Sequence, residues 1–129
     1  MAKKHDIIWL ESVDSTNEEC KRHISDLDNL SVVAVRCQTA GRGQGENTWL
    51  TAPGENMTFS IVLKDFDILP NQQIAISQIT ALAVVRFLAV HGIDAKIKLP
   101  NDLYVGDRKI CGILIENSLC AGKIKWSIV

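Results

Sequence analysis

The β-branched run Ser31-Val32-Val33-Ala34-Val35-Arg36-Cys37 leads through Gln38-Thr39-Ala40 into Gly41-Arg42-Gly43-Gln44-Gly45. Glycines admit positive φ, so such a loop can turn successive backbone N–H groups toward one point, and Arg42 adds a permanent forked donor. That chemistry suits a phosphate or a carboxylate. The loop lacks the Gly-Lys-Ser/Thr ending of a P-loop, and no helical pattern follows as a dinucleotide fingerprint requires. A plain surface turn is the competing reading. Further along, Lys98-Leu99-Pro100-Asn101-Asp102 sets a cation, a rigid turn and two polar side chains between strand-like runs, and Lys109 emerges on the next run beside Ile110 and Cys111. Hairpin pairing would return Lys109 to the vicinity of Asp102, although a solvated strand-face lysine has the same signature. Gly112 inside an apolar strand marks a bulge, a close backbone approach by a ligand, or a packing glycine. Trp49 could cover a bound ring or lid the core, and Ser15 and Thr16 could do no more than cap a helix.

The elements that must position these residues are legible by period. Residues 6–10 form a short apolar run suited to a strand, and Asp14-Ser15-Thr16-Asn17-Glu18 opens a helix with the spacing of a capping box. Residues 31–37 and 57–63 alternate or bury as strands do. From Gln72 to His91, Ile74, Ile76, Ile79, Leu82, Val85 and Leu88 recur at helical spacing, and Gly92 stands where a left-handed cap belongs. Residues 95–99, 102–105, 108–115 and 123–129 are short strands divided by Pro-Asn, Gly-Asp and Ala-Gly turns, which predicts an antiparallel meander. Helices mixed with hairpins predict an α+β domain with a mixed, largely antiparallel sheet and helices on one face.

Composition narrows the classes. The 129 residues are 47% hydrophobic and 22% charged with a net charge of -1, which fits one folded domain and gives no basic field to attract nucleic acid or an anionic membrane. No apolar run is expected to reach the ~18 to 20 residues that span a bilayer, so a cytoplasmic location is expected. Cys20, Cys37, Cys111 and Cys120 form no C-x-x-C pair and His5, His23 and His91 are scattered, so free buried thiols are expected rather than disulfides or a metal site. The last run ends on Val129 with no closing element, and a domain of residues 1–129 that is incomplete at its C-terminus is the expectation.

Taken in order, Asp14-Ser15-Thr16-Asn17, Gln38-Thr39-Ala40-Gly41-Arg42-Gly43 leading to Trp49, Lys98-Leu99-Pro100-Asn101-Asp102 and Arg108-Lys109-Ile110-Cys111-Gly112-Ile113-Leu114 resemble the biotin–protein ligases over nearly the whole chain. The resemblance implies the fold shared by biotin and lipoate ligases and class II synthetases. It also implies an enzyme that activates biotin with ATP to biotinyl-AMP and passes biotin to one lysine of the biotin carboxyl carrier domain of a carboxylase. By this resemblance Ser15, Thr16 and Gln38 hydrogen-bond the ureido ring with backbone near Gly41 and Arg42, Gly112 and Leu114 line the valerate tail, and Lys109 meets the carboxylate. Arg42, Gly43, Gln44, Trp49, Lys98 and Asn101 would serve the nucleotide, with Mg²⁺ arriving on its phosphates and no protein metal ligand. Arg42 and Lys109 would offset the charge of two anions brought together, and Asp102 would orient or deprotonate the acceptor lysine.

Gln44 stands where many relatives carry another arginine, and Leu99 where tryptophan is usual. No helix-turn-helix precedes the first strand and no small β domain follows the last, so a monofunctional ligase without repressor activity is expected; homodimerisation stays open. Two rivals remain: a lipoate or octanoate ligase, whose tail pocket would be longer and would have no use for ureido partners, and a truncated module that binds biotin without full activity.

Overall fold

The structure, a computed structural model, describes residues 6–99 and 102–129. Strand β1 (Ile7–Val13) leads into helix α1 (Thr16–Arg22) and back through β2 (Val32–Gln38), which lies parallel to β1 in the register Ile7 to Val32 through Val13 to Gln38. Ser15 caps α1: its hydroxyl accepts the Glu18 N–H at 3.3 Å. The reciprocal half of the expected capping box is missing, because the Ser15 N–H goes to Asp14 Oδ1 at 2.8 Å and the Glu18 carboxylate is drawn instead to Lys21 and Arg42.

The glycine-rich segment closes as a small hairpin of β3 (Gly41–Arg42) and β4 (Thr48–Trp49). The chain then returns as β5 (Thr58–Leu63), antiparallel to β2. After a 3₁₀ turn at Pro70–Gln72 comes α2 (Gln73–Val90), followed by β6 (Lys96–Lys98), β7 (Asp102–Val105) and β8 (Arg108–Gly112), an antiparallel three-stranded sheet. The expected meander stops there. The apolar run 108–115 breaks after Gly112, and β9 (Glu116–Cys120) with β10 (Lys123–Ile128) forms a hairpin that joins the other sheet through β5. That sheet has the order β1-β2-β5-β10-β9. Ala121 and Gly122, at φ 52 and 75, make the two-residue turn that right-handed strand twist favours.

The five-stranded and three-stranded sheets each have a core of their own. Cys20, Leu27, Val33, Val62 and Ile128 are buried between α1 and the five-stranded sheet, while Ala81, Ala95, Leu103 and Ile113 are buried where α2 meets β6 and β7. Helix α2 ends as its sequence predicts, with Gly92 at φ +77. Its predicted stripe is only partly used. Ile76 and Ala81 are buried and Val85 and Leu88 pack on the second core, but Ile74, Ile79 and Leu82 are exposed, because the helix is apolar around most of its circumference and touches a sheet of only three strands. The same composition corrects the reading of the sequence for membrane spans: Pro70–Val90 is long and apolar enough to cross one by length and composition.

All four cysteines are free. Only Cys20 is fully buried, and desolvation pushes its thiol up to about 11; Cys37 and Cys111 are half-buried and Cys120 is exposed, contrary to the expectation of four buried thiols.

Candidate functional site

The polar residues at the start of α1 are held by the end of β2 and by β5. Gln38 Oε1 accepts the Thr16 backbone N–H at 2.9 Å, and the Thr16 hydroxyl lies 2.7 Å from that of Ser60. Ser15, Thr16 and Ser60 are all buried. A single tryptophan ties this corner to the second sheet. Its backbone pairs with Gly41, where a methyl group would stand 2.6 Å from Gln38 Nε2 and inside contact distance of the Trp49 carbonyl oxygen. Its ring lies over Gly112, whose missing Cβ would fall 3.0 Å from two ring carbons. Lys109 Nζ sits 4.6 Å from the same ring centroid and 2.7 Å from Asp102 Oδ1. Gln38, Gly41, Trp49, Gly112, Lys109 and Asp102 therefore form one contiguous surface.

Several expectations change. The close approach at Gly112 is made by the protein's own indole. The glycine loop does not gather its N–H groups toward one point: the Gly43 N–H is spent on Asn47 O at 2.8 Å and the Asn47 N–H on Gln44 O at 3.2 Å, closing the hairpin on itself. Arg42 points to Glu18 and Glu116 rather than to Lys109, with its Nη2 2.8 Å from Glu116 Oε1. Lys98 Nζ lies 5.2 Å from the Tyr104 ring, and Lys98 pairs across the strands with Asp102. Leu114 contributes a carbonyl that accepts from Asn17 Nδ2 at 3.4 Å. Asn101 lies outside the described residues.

Ser60, Lys21 and Glu116 were not singled out by sequence reasoning, and Asn17 and Glu18 only as parts of a helix start; the structure joins all five to the site. Asn17 Nδ2 donates to Glu116 Oε1 at 3.0 Å and Ser60 donates to Asn17 Oδ1. Lys21 Nζ bonds Glu116 Oε2 at 2.6 Å. Burial pushes the Glu116 carboxyl up, but the hydrogen bonds from Lys21 and Asn17 and the charges of Lys21 and Arg42 outweigh it, leaving the group below the ordinary glutamate range. The one available sequence signal was Asn17 itself, inside the Asp-Ser-Thr-Asn motif.

The α+β domain thus sets a lysine–carboxylate pair and a polar helix start on either side of one indole ring. The chain belongs to the biotin/lipoate A/B protein ligase family, whose model matches residues 9–128. It is 32% identical over 126 residues to the chloroplastic biotin–protein ligase 1 of Arabidopsis thaliana, covering 95% of this chain and 34% of that protein. It is 30% identical over 115 residues to the biotin–[acetyl-CoA-carboxylase] ligase of Paracoccus denitrificans, covering 84% of this chain and 46% of the relative. The Aquifex aeolicus biotin protein ligase, solved in complex with biotin and ATP, superposes with a TM-score of 0.67 at 27% identity, over 95% of this chain and half of that one. The chain thus spans a third to a half of these relatives.

Proposed function

We propose that this chain carries the site that activates biotin with ATP and passes it, through biotinyl-AMP, to a lysine of a biotin carboxyl carrier domain, as a cytoplasmic enzyme. The observation that supports this most is the surface built around Trp49, which ties the polar start of α1, where a uncharged ring with hydrogen-bonding edges would sit, to the Lys109–Asp102 pair, where a carboxylate would react.

In the first step a carboxylate oxygen of biotin attacks the α-phosphorus and pyrophosphate leaves. Lys109, on β8, would hold that carboxylate and offset the charge that builds as two anions meet, the substrate competing with Asp102 for its ammonium. Arg42 contributes once an anion draws it from Glu18 and Glu116, and Gly43, Gln44, Trp49, Lys98 and Asn101 complete the nucleotide side of the proposal. Mg²⁺ would enter with the nucleotide and screen its phosphates. In the second step the acceptor amine attacks the acyl carbon, AMP leaves, and the amine proton passes to Asp102. Gly112 and Leu114 flank the tail.

Incubation of the chain with biotin and MgATP, followed by mass spectrometry and then addition of a carrier domain, tests this reading. A biotinyl-AMP peak that decays as the carrier gains biotin is expected. Selective binding of lipoate with none of biotin would overturn it in favour of the sister activity, and biotin binding with no adenylate would reduce the chain to a binding module.

A further inference from the structure

The buried hydroxyls behind the α1 corner have fixed proton directions. Leu114 O and the Glu116 carboxylate can only accept, so the Asn17 amide must turn its Nδ2 toward both, at 3.4 Å and 3.0 Å, and its Oδ1 toward Ser60. Asn17 Oδ1 in turn can only accept, which commits the one Ser60 hydroxyl proton to it. Ser60 Oγ then has only lone pairs to offer Thr16, so across that 2.7 Å contact Thr16 is the donor. The other acceptor within its reach, Gln38 Oε1 at 3.5 Å, lies outside the range of an ordinary O–H···O bond. Thr16 Oγ1 is left facing any ligand with lone pairs alone. Ser60, Thr16 and Asn17 are almost fully enclosed, at 1%, 4% and 7% exposure, so the order is set by their protein partners.

The neighbours have the opposite character. Gln38 Oε1 is taken by the Thr16 N–H, which leaves its Nε2 to donate, and Ser15 Oγ, already accepting from the Glu18 N–H, keeps its proton for an incoming acceptor. One enforced acceptor beside two donors is the complement of a cyclic urea, whose ring N–H needs an acceptor and whose carbonyl takes two donors. We infer that Asn17 and Ser60, oriented by Glu116, are specificity-determining positioning residues that lock Thr16 as the acceptor of a ureido N–H. This rests on the biotin reading above and adds to it how the pocket tells a urea from a ring without N–H groups. A site whose buried polar groups are left unpaired by the wrong ligand rejects it far more strongly than an apolar pocket does.

The test compares calorimetric affinities of the wild-type chain, Ser60→Ala and Thr16→Val for biotin and for its two mono-N-methylated analogues, each of which lacks one ring N–H. Wild type is expected to disfavour one methylated isomer, and Ser60→Ala, which frees the Thr16 proton, to lower that preference by roughly three- to tenfold, the worth of one neutral hydrogen bond. Thr16→Val, which keeps the shape and removes the acceptor, is expected to lower it likewise, and stands in should Ser60→Ala fail to fold. A purely structural role would weaken biotin and the analogue together and leave their ratio unchanged. An unchanged ratio in variants that still bind biotin overturns the inference and leaves the proposed function standing; a wild-type chain that binds no biotin overturns both.

Discussion

Gly41→Ala puts the join between hairpin and pocket under the most direct strain. The added methyl would stand 2.6 Å from Gln38 Nε2 and inside contact of the Trp49 carbonyl oxygen, with the carbonyl carbon at 3.3 Å. The Trp49 backbone cannot retreat without breaking the β3–β4 pairing. Relief must come from Gln38, whose displacement forfeits its 2.9 Å bond to the Thr16 N–H at a cost of about 1 kcal/mol, or from opening of the hairpin. Forcing a methyl into a filled space costs a further 1–3 kcal/mol, roughly. The sum, about 2–4 kcal/mol, corresponds to a loss of biotin affinity of roughly 30- to 700-fold. Neither buried cluster includes residues 41–49, so most of this strain should be spent locally and leave the global unfolding midpoint nearly in place. Calorimetry with biotin gives the affinity, and hydrogen exchange at the Gly43 N–H, bonded to Asn47 O, reports the hairpin. Gly45→Ala is the control: its methyl meets nothing within 4 Å, and its φ of +63 costs only about 1–2 kcal/mol of local strain, without touching Gln38. Wild-type affinity in Gly41→Ala together with unchanged Gly43 protection would refute the reasoning.

Lys109→Ala should cut adenylate formation by about 10²–10³-fold, or about 2.7–4 kcal/mol of transition-state stabilisation, with little change in folding; a single-turnover assay with an unchanged rate would remove Lys109 from the site. Asp102→Asn should still form biotinyl-AMP but slow its transfer to a carrier lysine, and equal losses in the two half-reactions would contradict that division. Because the Glu116 carboxyl titrates below its unfolded value in the native state, it contributes stability that is fully present above about pH 4.3 and disappears as pH falls through the folded value. Glu116→Gln should therefore melt lower than wild type at pH 7, and the two melting curves should converge as the pH falls through the native-state value; parallel curves throughout would show that the depressed carboxyl is not the source.

Local signals carried the sequence a long way. Residues 95–112 were legible as hairpins because Gly106 and the Pro100-Asn101 pair punctuate β-branched runs, and α2 was legible from its spacing and from Gly92. Strand β9 was not, since Glu116-Asn117-Ser118-Leu119-Cys120 has neither β-branched residues nor apolar alternation and forms through its pairing with β10. Residues 108–115 looked like one strand because nothing in an apolar run announces where the chain leaves one sheet for another. The same holds at the site. Lys109 and Asp102 are hairpin neighbours and could be paired on paper, whereas Asn17 meets Ser60 and Glu116 across 43 and 99 positions, a relation that only the fold creates. The Arg42 loop was judged from its glycines, but its geometry is set by hairpin closure and by two distant carboxylates.

The division of the molecule into two cores has a thermodynamic corollary. Ser15, Thr16 and Gln38 belong to the half built on Val33 and Val62, while Lys98, Asp102 and Lys109 belong to the half built on Leu103, and the chain passes between them after Leu63 and again after Gly112, with Trp49 bridging the two. Halves with separate cores can open with separate free energies of exposure. A small molecule gripped by both would have to be released before either could open, so its binding energy would appear as cooperativity between them. In such a molecule the substrate is a structural member, the strut that makes two folding units behave as one.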